Sequence, residues 1–317
     1  MAIEQLAIFG KAFGDQLRLN ILRLLSTESL GVLELSDVFA MRQPAMSHHL
    51  KVLLQAGLVS TRKEGNTIFY RRALPPSDSN HERLVRALFA TIDAAPLSDG
   101  LSEKLLTLQQ RRAKQSQQFF ARHADVFRQQ QALIADHDLY ARSVSDIISQ
   151  TRFPAMDLAM EIGPGEGGFL KTLSKSFNHV YAVDNSHDML TCSQQQASNE
   201  GLDNVSFLLS EIDSLKELNH SFDCIVANMV LHHVSSPASI FSQAGKLLKP
   251  SGSFLISELC RHDQEWVKMA CGDLWLGFSP DDLSAWAKQS RFINGDSQYL
   301  GLRNGFQIQI RHFIFSK

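Results

Sequence analysis

The stretch Met156-Asp157-Leu158-Ala159-Met160-Glu161-Ile162-Gly163-Pro164-Gly165-Glu166-Gly167-Gly168 decides the fold of the larger part of this chain. The apolar run over 156–162 reads as a buried strand. A glycine-rich turn follows, and Phe169, Leu170 and Leu173 then set a helical spacing. Strand, glycine-rich turn and helix open a nucleotide-binding Rossmann sheet. Glycine suits the turn because it has no Cβ to hold a ligand off the backbone. A second strand over 180–183 ends at Asp184. A carboxylate at that strand end, about 20 residues past the glycines, can accept both hydroxyls of a ribose.

The spacing Gly163-x-Gly165-x-x-Gly168 by itself also fits a dinucleotide fingerprint. Glu161 argues against that reading. A carboxylate two residues before the first glycine would repel a pyrophosphate, whereas it can meet a cationic ligand. A third strand over 205–209 runs into Ser210-Glu211-Ile212, which places a carboxylate beside an aliphatic side chain. That pair can accept an adenine amino group and pack on its ring. Phe222-Asp223-Cys224-Ile225-Val226-Ala227-Asn228 is a fourth strand, followed by Met229-Val230-Leu231-His232-His233-Val234. Leu247-Leu248-Lys249-Pro250-Ser251-Gly252 then turns into a fifth strand over 253–257. A helix over 281–290 and apolar runs over 299–302 and 306–315 close the chain.

This succession resembles the class I methyltransferases that use S-adenosylmethionine (SAM) and act on small molecules, over residues 155–260. The resemblance implies that Glu161, Gly163, Pro164, Gly165 and Gly168 hold the methionine part of SAM. It assigns Asp184 to the ribose, with Asn185 and Met189 nearby. Glu211 and Ile212 would frame the adenine, and Asn228 and Met229 would line the far wall. Tyr140, in Asp138-Leu139-Tyr140-Ala141-Arg142, resembles the aromatic residue that covers SAM ahead of the first strand. His232 and His233 follow the fourth strand and are candidate general bases, set against a plain role as helix-start histidines. The Asn-Pro-Pro-Tyr type of signature for amino-group DNA methylation is absent, with Asn228-Met229-Val230-Leu231 in its place, so DNA is not the expected methyl acceptor.

Ahead of this sheet, Leu17, Ile21, Leu22, Leu24 and Leu25 give one amphipathic helix, and Val32, Leu33, Leu35, Val38 and Phe39 a second. Met41-Arg42-Gln43 is a tight connection, and Pro44 suits the first turn of a third helix because its missing N–H is not needed there. On that helix Met46, Leu50, Leu53 and Leu54 share one face. Gln43, Ser47, His48 and Lys51 lie mostly on the other, with His49 beside them. This is helix-turn-helix geometry with a polar outer face. Runs over 58–63 and 67–71 around Glu64-Gly65-Asn66 read as a hairpin wing, where Arg62, Lys63, Asn66 and Arg71 are candidate DNA contacts.

The run Gln43-Pro44-Ala45-Met46-Ser47-His48-His49-Leu50-Lys51-Val52-Leu53, with Ala56-Gly57-Leu58-Val59 behind it and Phe13-Gly14-Asp15-Gln16-Leu17-Arg18 ahead, resembles the ArsR family of winged-helix repressors over residues 6–75. The resemblance implies a homodimer on an imperfectly palindromic double-stranded operator. It does not carry metal sensing. Where metal-responding members have a cysteine pair, Glu34-Leu35-Ser36-Asp37-Val38 stands, and the first cysteine of the chain is Cys192. No metal site is expected from the spacing of Cys192, Cys224, Cys260 and Cys271.

Charge separates the two parts. The 317 residues carry a net charge of −2, yet residues 1–75 hold nine Lys and Arg against six Asp and Glu, and residues 136–317 hold fourteen against twenty-one. A basic front suits DNA and an acidic back suits a small molecule. No signal peptide or membrane span is legible, so a cytoplasmic protein is expected. The expected organisation is a winged-helix domain over 1–80, a helical linker or dimerisation segment over 81–135, and an α/β methyltransferase-like domain over 136–317. Over 101–135, Leu101, Leu105, Leu108, Phe119, Phe120 and Phe127 carry a helical pattern, as one long helix or two in series. Three functions follow from these parts. The leading one is a transcription regulator whose methyltransferase domain methylates a small molecule. The second is a sensor that binds SAM or S-adenosylhomocysteine (SAH) without catalysis, since ArsR-type proteins fused to such domains regulate SAM-cycle genes. The third is an enzyme with a degenerate winged helix.

Overall fold

The computed structural model describes residues 3–65, 67–74 and 80–316, and of residues 80, 121 and 123–130 the backbone alone. Asn66, the 75–79 part of the expected loop and the side chain of Phe127 lie outside it. The chain divides into two compact units, Met1–Arg111 and Arg112–Lys317.

The first unit opens with α1 (Ile3–Phe13) and α2 (Gln16–Leu24), the latter capped by the Asp15 carboxylate, which accepts the Arg18 N–H at 3.0 Å. Strand β1 (Leu30–Gly31), α3 (Val32–Val38) and α4 (Gln43–Gln55) follow. The wing is β2 (Val59–Glu64) paired antiparallel with β3 (Thr67–Arg72), and β1 pairs with the other edge of β3. Helix α5 (Asn80–Ala94) and the beginning of α6 (Asp99–Ile134) complete the unit. Its core gathers Ile21, Leu22, Leu24, Leu35, Met46, Leu50 and Leu53, and Leu108 of α6 joins it. Leu54 is not on the buried face as expected. It is 43% exposed, whereas Val52, off the stripe that 46, 50 and 53 form, is buried by its neighbours in the fold. The 101–135 part of the middle segment resolves to one continuous helix, α6, rather than two.

In the second unit, α7 (His137–Gln150) precedes β4 (Leu158–Ile162), α8 (Leu170–Ser176), β5 (His179–Asp184), α9 (His187–Asn199), β6 (Val205–Leu209) and β7 (Phe222–Asn228). Helix α10 (Pro237–Leu247), β8 (Leu248–Leu259), α11 (Trp266–Ala270), α12 (Pro280–Gln289), β9 (Phe292–Gly301) and β10 (Gln307–Phe315) follow. The sheet has seven strands in the order β6-β5-β4-β7-β8-β10-β9. The first five in that order run parallel, and β10 is antiparallel to both β8 and β9. The chain moves outward from β4 to β6, then returns to β7 on the other side of β4. The crevice beyond the carboxyl ends of β4 and β7 is therefore the topological switch point, where such sheets bind ligands. Strand β9 begins earlier than its apolar signal. Most of its residues are exposed on the sheet edge, so backbone pairing with β10 holds it and no hydrophobic alternation marks it.

The opposite ends of β4 and β7 are tied by a buried carboxylate. Asp223 accepts the backbone N–H groups of Ala155, Asp157 and Leu158, each at 3.1 Å, and Lys249 closes on it at 2.9 Å. A carboxylate with no exposure is tolerated there because donors surround it.

Candidate ligand cavity and nucleic-acid face

A cavity of about 520 Å³ lies over the switch point, a size ordinary for a small-molecule site. Glu161 ends β4 beneath it. Its Oε1 accepts the Asn228 side-chain amide at 3.2 Å, while Oε2 is buried without a partner. Burial, offset in part by that hydrogen bond, pushes the carboxyl up to about 8. The other end of the Asn228 amide accepts Ser257 Oγ at 2.9 Å, so the strand β8 sets its orientation.

Gly163 has φ +61° and gives its N–H to the Val183 carbonyl at 2.8 Å. A Cβ there would stand 2.7 Å from a Val230 methyl. Pro164, Gly165 and Gly168 continue the wall, with His137 of α7 packed on Gly168. Asp184 ends β5 and accepts the Ser186 N–H at 2.8 Å, and burial raises its carboxyl to about 6. Asn185 donates to Glu211 at 2.7 Å, which ties the end of β5 to the loop after β6. Ile212 and Met189 are buried on the same wall. Met229 takes a left-handed φ of 53° and its N–H bonds the Ser257 carbonyl at 2.8 Å. Tyr140 is 3% exposed, and burial raises its phenol. Each of the residues expected at the ligand, from Tyr140 to Met229, lines this one cavity.

The histidines divide. His233 lines the cavity, whereas His232 turns away and places Nδ1 2.6 Å from Glu258 Oε1. Burial works against charge on His232, but Glu258 and Asp273 outweigh it and raise the imidazole to about 9. Sequence reasoning did not find the roof of the cavity. Ala113, Ser116 and Phe120 of α6 line it, and their spacing of three and four was visible only as a generic helical stripe.

On the first unit, Gln43, Ser47, His48 and Lys51 are exposed on α4, and Lys63 is exposed on the wing. His49 is half-buried, with Nδ1 3.3 Å from Arg18 Nη1, and so packs against the start of α2. Arg71 is half-buried and donates to Ser60 Oγ at 3.2 Å. Arg62 departs from the expectation. It is buried and ion-paired with Glu64, because alternation along β2 turns both inward and leaves Lys63 outward.

A winged helix with a polar helical face, and a doubly wound sheet with a nucleoside-shaped arrangement of carboxylates at its switch point, define a regulator-type DNA-binding domain joined to a methyltransferase domain. Residues 15–61 match the family described as bacterial regulatory protein, arsR family, and residues 160–256 the family described as methyltransferase domain. An uncharacterized HTH-type transcriptional regulator of Methanocaldococcus jannaschii is 47% identical over 68 residues, which is 21% of this chain and 76% of that protein. The arsenical resistance operon repressor of Staphylococcus aureus is 41% identical over 71 residues, 22% of this chain and 68% of that protein. The chain belongs to the ArsR family of bacterial regulatory proteins through this domain. The crystal structure of Burkholderia thailandensis 1,6-didemethyltoxoflavin-N1-methyltransferase shares the fold, at TM-score 0.52 and 20% identity over 70% of this chain and 93% of that one.

Proposed function

We propose that this protein is a DNA-binding transcription regulator whose methyltransferase domain binds SAM and transfers its methyl group to a small molecule. The observation that carries the ligand is Glu161. A buried carboxylate oxygen on the cavity wall with no partner calls for a cation or a donor, and the ammonium of SAM or SAH is both. Asp184 suits ribose hydroxyls, and Glu211 with Ile212 suits an adenine edge and face. When bound, SAM supplies a methyl group activated by its sulfonium charge. The chain's part is to hold the acceptor in line and to keep water out, which suits a cavity roofed by α6. The structural relative was crystallised with 1,6-didemethyltoxoflavin and SAH, which supports a small acceptor here.

The exposed Gln43, Ser47, His48 and Lys51 support contact with a double-stranded operator, by a homodimer in the cytoplasm. Among the described residues, no helix is long and apolar enough to cross a membrane. The sensor reading stays second, and α6 favours it. The same helix gives Leu108 to the core of the first unit and Ala113 to the cavity wall of the second. SAM or SAH would then be an effector as well.

Two measurements test this. Calorimetry with SAH is expected to show binding at one site per chain, and its absence overturns the methyltransferase reading. Fluorescence anisotropy of a labelled fragment of the protein's own upstream DNA, at fixed salt with and without SAM and SAH, tests the regulator. Unequal shifts with the two ligands put the sensor first. Absence of specific binding leaves an enzyme with a degenerate winged helix.

A further inference from the structure

Arg18 joins three helices of the first unit. Its Nε donates to the Ala12 carbonyl at 2.7 Å and its Nη2 to the Lys11 carbonyl at 2.6 Å, so the guanidinium closes the last turn of α1. Nη1 lies 3.6 Å from Asp15 Oδ2, beside the cap of α2. The same Nη1 meets His49 Nδ1 of α4 at 3.3 Å. A guanidinium only donates, so Nδ1 accepts and the ring proton sits on Nε2. Among the described residues Nε2 has no hydrogen-bond partner, and 19% of the side chain is exposed.

The place of His49 on α4 gives that N–H a use. Gln43, Ser47 and Lys51 are exposed along one line of the helix, whereas Met46, Leu50 and Leu53 are buried. His49 stands on the rim between those faces, on the side that meets Arg18. A recognition helix that enters the major groove by its polar face sets its rim beside the sugar–phosphate strands. Phosphate oxygens only accept, and an outward Nε2–H supplies what they need. Asp15 approaches from the Nδ1 side, at 4.0 Å, so its negative charge lies behind the ring. We propose that His49 is a backbone contact rather than a base reader: Nε2–H donates to a phosphate of the operator, and Arg18 is the positioning residue that holds the ring in that tautomer. The inference rests on the regulator reading above and deepens it.

The contact is a neutral one. The charged and titratable groups facing the ring are Asp15 ahead of α2, Arg18 on α2, and His48 on its own helix, whose ring stands edge-on with centroids 6.0 Å apart. Burial first holds His49 below the ordinary imidazole value; Asp15 works against it, and Arg18 and His48 work with it. A second proton would also have to sit on Nδ1, facing the Arg18 cation. A neutral donor displaces no counterion from DNA, so His49 adds to affinity without adding to its salt dependence. A phosphate contact fixes register and carries no sequence information, so it strengthens binding to any duplex alike.

The test uses the full chain and two labelled duplexes, its own upstream fragment and a shuffled fragment of equal length and composition. Fluorescence anisotropy is read over a series of salt concentrations. His49→Leu is expected to weaken both complexes about tenfold, the worth of a hydrogen bond to a charged acceptor, with the slope of log affinity against log salt unchanged. His49→Gln should recover affinity to within about threefold of the original, because its Oε1 can face Arg18 while its amide N–H replaces Nε2–H. Imidazole nitrogen NMR of the DNA-free chain, with His49 identified by its loss in His49→Gln, should show the proton on Nε2. Arg18→Lys keeps the charge but loses the fork, and should bring in the other tautomer and weaken DNA binding with it. A proton on Nδ1 in the original chain overturns the proposal. So does a His49→Leu variant that binds as well as the original, or one whose salt slope falls by about 1, the mark of a cationic contact. Loss confined to the upstream fragment marks a base reader and overturns it too, as does a Gln variant as weak as the Leu variant. A chain that binds neither duplex at low salt overturns the regulator reading on which the proposal stands.

Discussion

Asn228 of β7 donates its side-chain amide to Glu161 of β4 at 3.2 Å across the switch point, and the second Glu161 oxygen is left buried on the cavity wall without a partner. The chain itself thus leaves one acid oxygen of the cavity wall unsatisfied, a cost to stability of the kind that binding sites carry.

The pH dependence follows from that acid. Its carboxyl is held at about 8 by burial, above the ordinary 4.5. A carboxyl raised in the folded state favours folding while protonated, so its contribution is complete below 4.5 and is lost as pH rises through 8. Urea denaturation of the ligand-free protein is expected to show stability falling by a few kcal/mol across that window. Glu161→Gln should flatten the fall and weaken SAH binding roughly ten- to a hundredfold, the worth of a charge-assisted hydrogen bond. A ligand-free protein whose stability is level from pH 5 to 9 would contradict this.

Gly163→Ala should abolish ligand binding and lower stability. Its φ of +61° costs an L residue about 1–2 kcal/mol, and its Cβ would meet a Val230 methyl at 2.7 Å. Adding Val230→Ala should restore part of the stability, because the clash goes and the backbone strain remains. Thermal denaturation of the single and double variants checks this.

Asp223→Ala should cost about 3–5 kcal/mol, as expected for removing one partner of a buried ionic network. It strands three backbone donors at the end of the sheet opposite the cavity and takes from Lys249 the nearer of its two carboxylates, leaving Asp157 at 3.4 Å. Urea denaturation should register the loss. SAH affinity at a temperature where the variant is folded should change less than twofold.

The two adjacent wing cations should part company. Lys63→Ala is expected to lower the slope of log affinity against log salt for DNA by about 1 and to leave stability unchanged. Arg62→Ala is expected to lower stability, because it is 7% exposed and leaves Glu64 buried without this counter-ion. Salt titrations of DNA binding and thermal melts separate the two.

Much of this molecule is legible locally. Strands β6 and β7 fall on the apolar runs that mark them. The turn from Ile162 through Gly168 follows from glycine's freedom of backbone, and Pro44 at the head of α4 from its missing N–H. Residues as far apart as Glu161, Asp184 and Glu211 could be assigned to one ligand because each sits at the end of a strand, and a parallel sheet brings its strand ends together.

What the sequence by itself determined is therefore the identity of the elements and the chemistry at their ends, since both depend on neighbours a few positions away. Three matters were left to the tertiary structure. It turned Arg62 inward to Glu64, because alternation on a strand cannot show which face a core will cover. It gave His232 a bond to Glu258 and His233 a place on the cavity wall although the two rings touch, with centroids 4.1 Å apart, because only distant packing decides what each ring meets beyond its neighbour. It laid Phe120 and Asp273 against His233 from segments about 110 and 40 residues away, and a one-dimensional pattern carries no term for such pairs.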